Sequence, residues 1–185
     1  MEEHKDKIFI DIGCGGAPAP GYIGFDIKRT SAAAVIGLLP HLPFKDNSIH
    51  GFRARHVMEH FFSEDIFDIL RAAARCLVPD GEFTIIVPHG TNPLASQLDH
   101  KSYWSYNSPL TITKDGLHDE WIGGKFRLEY RKLYWMKQDY RGRFPWLVKF
   151  MNRMINKSPI VMERLSYHFG GIYEMEFRIR KIDET

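Results

Sequence analysis

Cysteine, long apolar runs and net charge are all scarce in this chain. Two cysteines, Cys14 and Cys76, occur among 185 residues. They are too few for a disulfide framework or a four-thiolate metal site, and a reducing compartment is the economical expectation. No run approaches the roughly 18 apolar residues of a membrane-spanning helix. The first residues include Glu2, Glu3, Lys5, Asp6 and Lys7 where a secretory leader would place its apolar core, so a cytoplasmic location is expected. The formal charge is only +2, from 25 Lys+Arg against 23 Asp+Glu, and by itself points to no polyanionic partner. Internal repeats and low-complexity tracts are missing too. What remains is 44% apolar and 26% charged, the composition of a folded domain, and the length suits a single domain over 1–185.

Short apolar segments separated by glycine and proline dominate the first third. Ile8–Ile12, Tyr22–Ile27 and Ala34–Leu39 read as buried strands, and Ser48–Ala54 as a weaker one. From Ser63 the period changes, with Ile66, Leu70, Ala73 and Leu77 at helical spacing, Ser63 as the expected cap, and Glu64 and Asp65 at the positive helix end. Pro79-Asp80-Gly81 ends the helix and Glu82–Val87 forms the next strand, which makes one βα crossover of a parallel sheet. Phe126–Met136 is a further strand candidate. Tyr173–Ile182 alternates apolar and charged residues and closes the chain as a strand with one wet face. Between these two lie two helices, near Pro145–Asn156 and Pro159–Phe169, within an insertion over 137–171.

A strand ending at Asp11 and followed by Gly13-Cys14-Gly15-Gly16 puts backbone amides and a carboxylate at the carboxyl edge of the sheet, where open α/β sheets bind ligands. Asp26 ends the next strand. A carboxylate there can accept both ribose hydroxyls of a nucleoside, each charge-assisted bond contributing roughly 1.5–3 kcal/mol. A dinucleotide fingerprint starting at Gly13 requires glycine at position 18, which is Pro18, so NAD is disfavoured.

The segments DIGCGG (11–16), FDI (25–27), LPFKDNSIHGFRARHVMEHF (42–61) and LVPDGEFTIIVP (77–88) together resemble the class I S-adenosylmethionine-dependent methyltransferases. The resemblance implies an α/β, Rossmann-like methyltransferase fold. Its seven-stranded, mostly parallel sheet has the order 3-2-1-4-5-7-6 with strand seven antiparallel, and here carries a shortened first helix and a helical insertion between strands six and seven. It implies S-adenosylmethionine as cofactor, with Asp11, Gly13 and Gly15 along the methionine and ribose part and Asp26 on the ribose hydroxyls. Two departures stand out. Ala17-Pro18-Ala19-Pro20-Gly21 leaves room for a turn and not a helix. Leu38 occupies the position where the family often has an adenine-binding carboxylate, so adenine is expected to rest on apolar contacts and backbone.

Histidines at the ends of strands four and five, His56 and His89, are the expected catalytic helpers if the acceptor is a hydroxyl. His56-Val57-Met58-Glu59-His60 also spells HxxEH, a zinc-protease signature, but no third ligand is evident in the sequence and no metal is expected. Residues 121–170 hold 11 Lys+Arg against 3 Asp+Glu, interleaved with Trp121, Tyr130, Trp135 and Trp146. Such a segment suits nucleic acid or an anionic membrane surface. Its plain alternative is a helical cover whose Trp146, Leu147, Phe150 and Met154 pack on the sheet. The expectation is therefore methyl transfer to oxygen or nitrogen of an anionic acceptor, against a catalytically silent module that binds an anionic partner through 121–170.

Overall fold

The computed structural model describes residues 7–183 except 115, 123 and 139. The apolar segments form β1 (Phe9–Ile12), β2 (Ile23–Asp26), β3 (Ala33–Ile36), β4 (Ile49–Arg55), β5 (Leu77–Pro88), β6 (Phe126–Tyr134) and β7 (Glu174–Lys181). All seven belong to one sheet in the order β3-β2-β1-β4-β5-β7-β6. Neighbours from β3 across to β5 are parallel, and β7 runs antiparallel to both β5 and β6. This is the expected Rossmann-like methyltransferase topology.

The helices are α1 (Ser63–Cys76), two single turns α2 (Ser108–Thr111) and α3 (Asp119–Ile122), and α4 (Pro145–Lys157) with α5 (Pro159–Leu165) in the insertion before β7. None of them is long and apolar enough to cross a membrane, among the described residues. The cap of α1 falls one residue earlier than expected, on Phe62, whose N–H donates to the Asp65 carboxylate at 3.3 Å. β5 begins earlier as well. Leu77 pairs with Ile49 and Glu82 with Gly51, so residues 78–81 form a bulge facing His50 alone, with Asp80 at φ 60°.

The connections 13–22, 27–32 and 37–48 contain no helix. Strands of a parallel sheet are normally buried on both faces by crossover helices; here the two faces differ. Ile10, Ile12, Phe52, Ala54, Phe83, Ile85, Phe177 and Ile179, all at most 1% exposed, build the core on one face with α1. The alternate positions carry charge: Arg53 pairs with Asp11, while Arg178 and Arg180 bind Glu82 and Glu129. An ion-pair lattice occupies the face from which the first crossover helices are missing.

Candidate active site

The cofactor cleft is built around Gly13. Its N–H and that of Cys14 donate to the Phe25 carbonyl, and Gly15 N–H donates to Asp26 Oδ2 at 2.8 Å. Asp26 Oδ1 takes the Lys28 N–H, also at 2.8 Å. Gly13 has φ 65°, and a Cβ there would lie 2.4 Å from Val57 Cγ2, so both its backbone and its neighbour require glycine. On one side of Gly13 lies an apolar cavity of about 120 Å³ walled by Phe25, Leu38, Leu39, Val57 and Phe61, with Asp26 at its edge. On the other lies a polar cavity of about 300 Å³ lined by Asp11, the 17–20 turn, Arg53 and Arg55.

These residues fit S-adenosylmethionine. The apolar cavity suits a purine ring and carries no carboxylate at Leu38, in keeping with the sequence reading. Asp26 lines the apolar cavity, and each of its oxygens has a lone pair left after its single backbone bond. The polar cavity offers two guanidinium groups to an amino-acid carboxylate. Asp11 has a second task. Its carboxylate accepts from Arg53 Nη1 at 3.0 and 3.1 Å and from Ala19 N–H at 2.7 Å, which pins the Pro-rich turn that replaces the first helix.

A third cavity, about 420 Å³, opens beyond the ends of β4 and β5 and is lined by Arg55, His56, Glu59, His60, His100 and Lys137, among others. Arg55 lines this cavity and the polar cofactor cavity alike. His56 sits at its floor with φ 55°. Its Nδ1 lies 3.3 Å from Glu59 Oε1 and its Nε2 3.2 Å from Glu174 Oε2. Burial lowers the affinity of this ring for a proton, but the hydrogen bonds and charges of Glu174 and Glu59 outweigh it and push the pKa up to about 9. His56 is therefore a cation at neutral pH and not a base.

His89 does not reach this cavity. Its ring is 1% exposed, with Nε2 at 2.7 Å from Glu163 Oε1 of α5 and Nδ1 at 2.9 Å from Thr91 Oγ1. The expected catalytic pair is thus split, His56 at the cavity and His89 as an internal tie to the insertion. Sequence reasoning missed Arg53 and Arg55. Their alternation in Phe52-Arg53-Ala54-Arg55 at a strand's carboxyl end was the available signal. His100, in the loop segment whose Asp99-His100-Lys101 suggested a part in shaping the acceptor pocket, does line this cavity, and it approaches Glu59 and His60 only through folding.

The sequence matches the family model described as a methyltransferase domain over residues 10–85. No curated protein matches it in sequence. Among solved structures, a SAM-dependent methyltransferase from Archaeoglobus fulgidus superposes with TM-score 0.60 at 17% identity, covering 96% of this chain and 87% of that one. An S-adenosylmethionine-dependent methyltransferase from Mesorhizobium loti gives 0.53 at 12% identity, covering 95% and 91%. Geranyl diphosphate C-methyltransferase from Streptomyces coelicolor, solved with Mg2+, a thiolodiphosphate substrate analogue and S-adenosylhomocysteine, gives 0.57 at 11%, covering 96% and 70%. Glycine loop, strand order and the matched segment agree: residues 10–85 match a methyltransferase domain, and the chain has the α/β methyltransferase fold.

Proposed function

We propose that the chain transfers the methyl group of S-adenosylmethionine to an oxygen or nitrogen of an anionic acceptor held in the 420 Å³ cavity. The observation that carries this reading is the continuity through Arg55, which lines both that cavity and the polar end of the cofactor cleft. Arg55, His56 and Lys137 surround a space that, among the described residues, only Glu59 lines with a carboxylate, so a carboxylate, phenolate or phosphorylated compound is favoured. When bound, the cofactor supplies a methyl group on a sulfonium whose leaving group is a neutral thioether. An acceptor that is already an anion brings its own lone pair, so the side chains need only position it, which is worth roughly 7–11 kcal/mol. In this reading His56 is a cationic contact on the acceptor side and His89 holds the frame. Labelled-methyl transfer to a panel of acidic and neutral small molecules tests it. Acidic acceptors should be methylated, with Lys137→Gln raising KM at least threefold while leaving S-adenosylhomocysteine affinity unchanged. Transfer confined to neutral acceptors contradicts it.

A second reading concerns the insertion. Trp146 is 67% exposed, and Phe150, Met154, Ile160 and Val161 are exposed as well, beside Arg141, Arg143 and Lys149. An apolar helix face flanked by arginine and lysine supports contact with an anionic membrane surface.

A further inference from the structure

The HxxEH spacing suggests a metal for a reason the fold does not support, and the fold supplies a different one. His56 faces Glu174 and is not part of the cluster. Instead Glu59, His60 and His100 each place one ligand atom within 4.8 Å of the others. We propose that these three residues bind one divalent first-row transition ion in the wall of the acceptor cavity.

Three observations carry the assignment. First, Glu59 is 1% exposed, and its Oε2 has no hydrogen-bond partner, among the described residues, although Oε1 is held by His56. A buried carboxylate oxygen without a partner is costly, and a cation removes that cost. Second, His60 Nδ1 lies 3.2 Å from the Asp99 carbonyl and His100 Nδ1 lies 3.2 Å from the Ala95 carbonyl. A carbonyl only accepts, so each Nδ1 carries the proton and each Nε2 presents its lone pair. This is the tautomer that ligates metals, with the second nitrogen anchored to backbone. Third, the two segments are clamped together. The Glu59 carbonyl accepts from Lys101 N–H at 2.7 Å and Ser102 N–H at 3.2 Å, and Ser102 Oγ donates to the Met58 carbonyl.

Two imidazoles and a carboxylate make a three-ligand set with an open position, which suits zinc and its neighbours in the first transition row. Bonds of 2.0–2.1 Å bring tetrahedral ligand atoms to about 3.3 Å from one another. Closing from 4.8 Å requires side-chain rotation of His60 and His100, of which His60 is 39% exposed at its side chain. An ion here adds to the cationic lining that Arg55 and Lys137 provide and gives an anionic acceptor a ligating point. The site itself does not depend on the methyl-transfer reading, because it is measured with neither cofactor nor acceptor present.

The test is Zn2+ uptake by the chelator-treated full-length protein, by equilibrium dialysis with elemental analysis, and the visible spectrum with Co2+ in place of Zn2+. The expected result is one Zn2+ per chain and a Co2+ spectrum without thiolate bands. Affinity should fall at least about tenfold in His60→Ala and in His100→Ala and stay unchanged in His41→Ala, an exposed histidine elsewhere. Circular dichroism checks that each variant is folded. Because His60 is partly exposed, its replacement does not open the core. No stoichiometric uptake by the folded protein, uptake undiminished in either ligand variant, or thiolate bands that implicate Cys14 or Cys76 would overturn the assignment.

Discussion

Asp26 organises the glycine loop before any ligand arrives. Its two oxygens receive the Gly15 and Lys28 N–H groups, which fixes the backbone on both sides of the cleft. Replacing it with alanine removes those two bonds and the carboxylate that we propose accepts the ribose hydroxyls. Asp26→Ala is therefore expected to weaken S-adenosylhomocysteine binding by about 2 kcal/mol, or roughly 30-fold, in a calorimetric titration. Single residues of this kind were legible in the sequence, because Gly13, Gly15 and Asp26 act through local backbone geometry. The partners of Asp11 and His89 were not. Arg53 is 42 positions from Asp11, and Glu163 is 74 from His89, and periodicity carries no information about such pairs. His100 joined to Glu59 and His60 is the same kind of omission, a contact created by the return of a long loop.

At the scale of elements, periodicity located β1, β2, β4, α1 and β7 because their apolar spacing is regular and their ends are marked by glycine or proline. It also located α4, but spacing identifies an apolar face without saying what that face meets. The cover expected over the sheet is not built from Trp146, Phe150 and Met154. Ile155 is the buried residue of α4, and Asn152 and Asn156 satisfy the Trp135 and Leu133 N–H groups at the outer edge of β6. Trp146→Ala is accordingly expected to change stability by less than about 0.5 kcal/mol, by thermal melting. The same variant should reduce sedimentation with anionic vesicles, and Arg141→Gln, Arg143→Gln and Lys149→Gln should each cost about 1 kcal/mol of vesicle affinity. A large drop in melting temperature with unchanged sedimentation would contradict the membrane reading.

α5 is tied in by Glu163, which accepts from His89 and from Tyr106 N–H at 2.7 Å each. The hydrogen bond to His89, aided by that from Tyr106, holds the Glu163 carboxyl below its ordinary value of 4.5 against the opposing effect of burial. A depressed carboxyl contributes stability that is fully present above its unfolded value and is lost as pH falls through the folded one. Melting temperatures recorded from about pH 6 down to pH 3 should therefore fall less steeply in Glu163→Gln than in the native chain. Equal slopes would show that this tie contributes nothing.

Across the whole molecule, charge and apolar surface are segregated. The sheet keeps its hydrophobic core on one face and an ion-pair lattice on the other, and the basic residues concentrate in 121–170, toward the insertion. The order of the strands was legible only through the combination of four motifs with the family resemblance, since composition and spacing do not fix which strands are neighbours. The bare connection between β1 and β2 was foreshadowed by Ala17-Pro18-Ala19-Pro20, but the charged lattice on that face of the sheet depends on pairing between strands distant in sequence. The central claim is that this reduced fold still holds its cofactor, through backbone amides, Asp26 and the apolar wall at Leu38. Isothermal titration of the native chain with S-adenosylhomocysteine tests it most directly. One equivalent bound per chain is the predicted result, and no binding heat up to about 1 mM ligand, where binding would be worth about 4 kcal/mol, would contradict it.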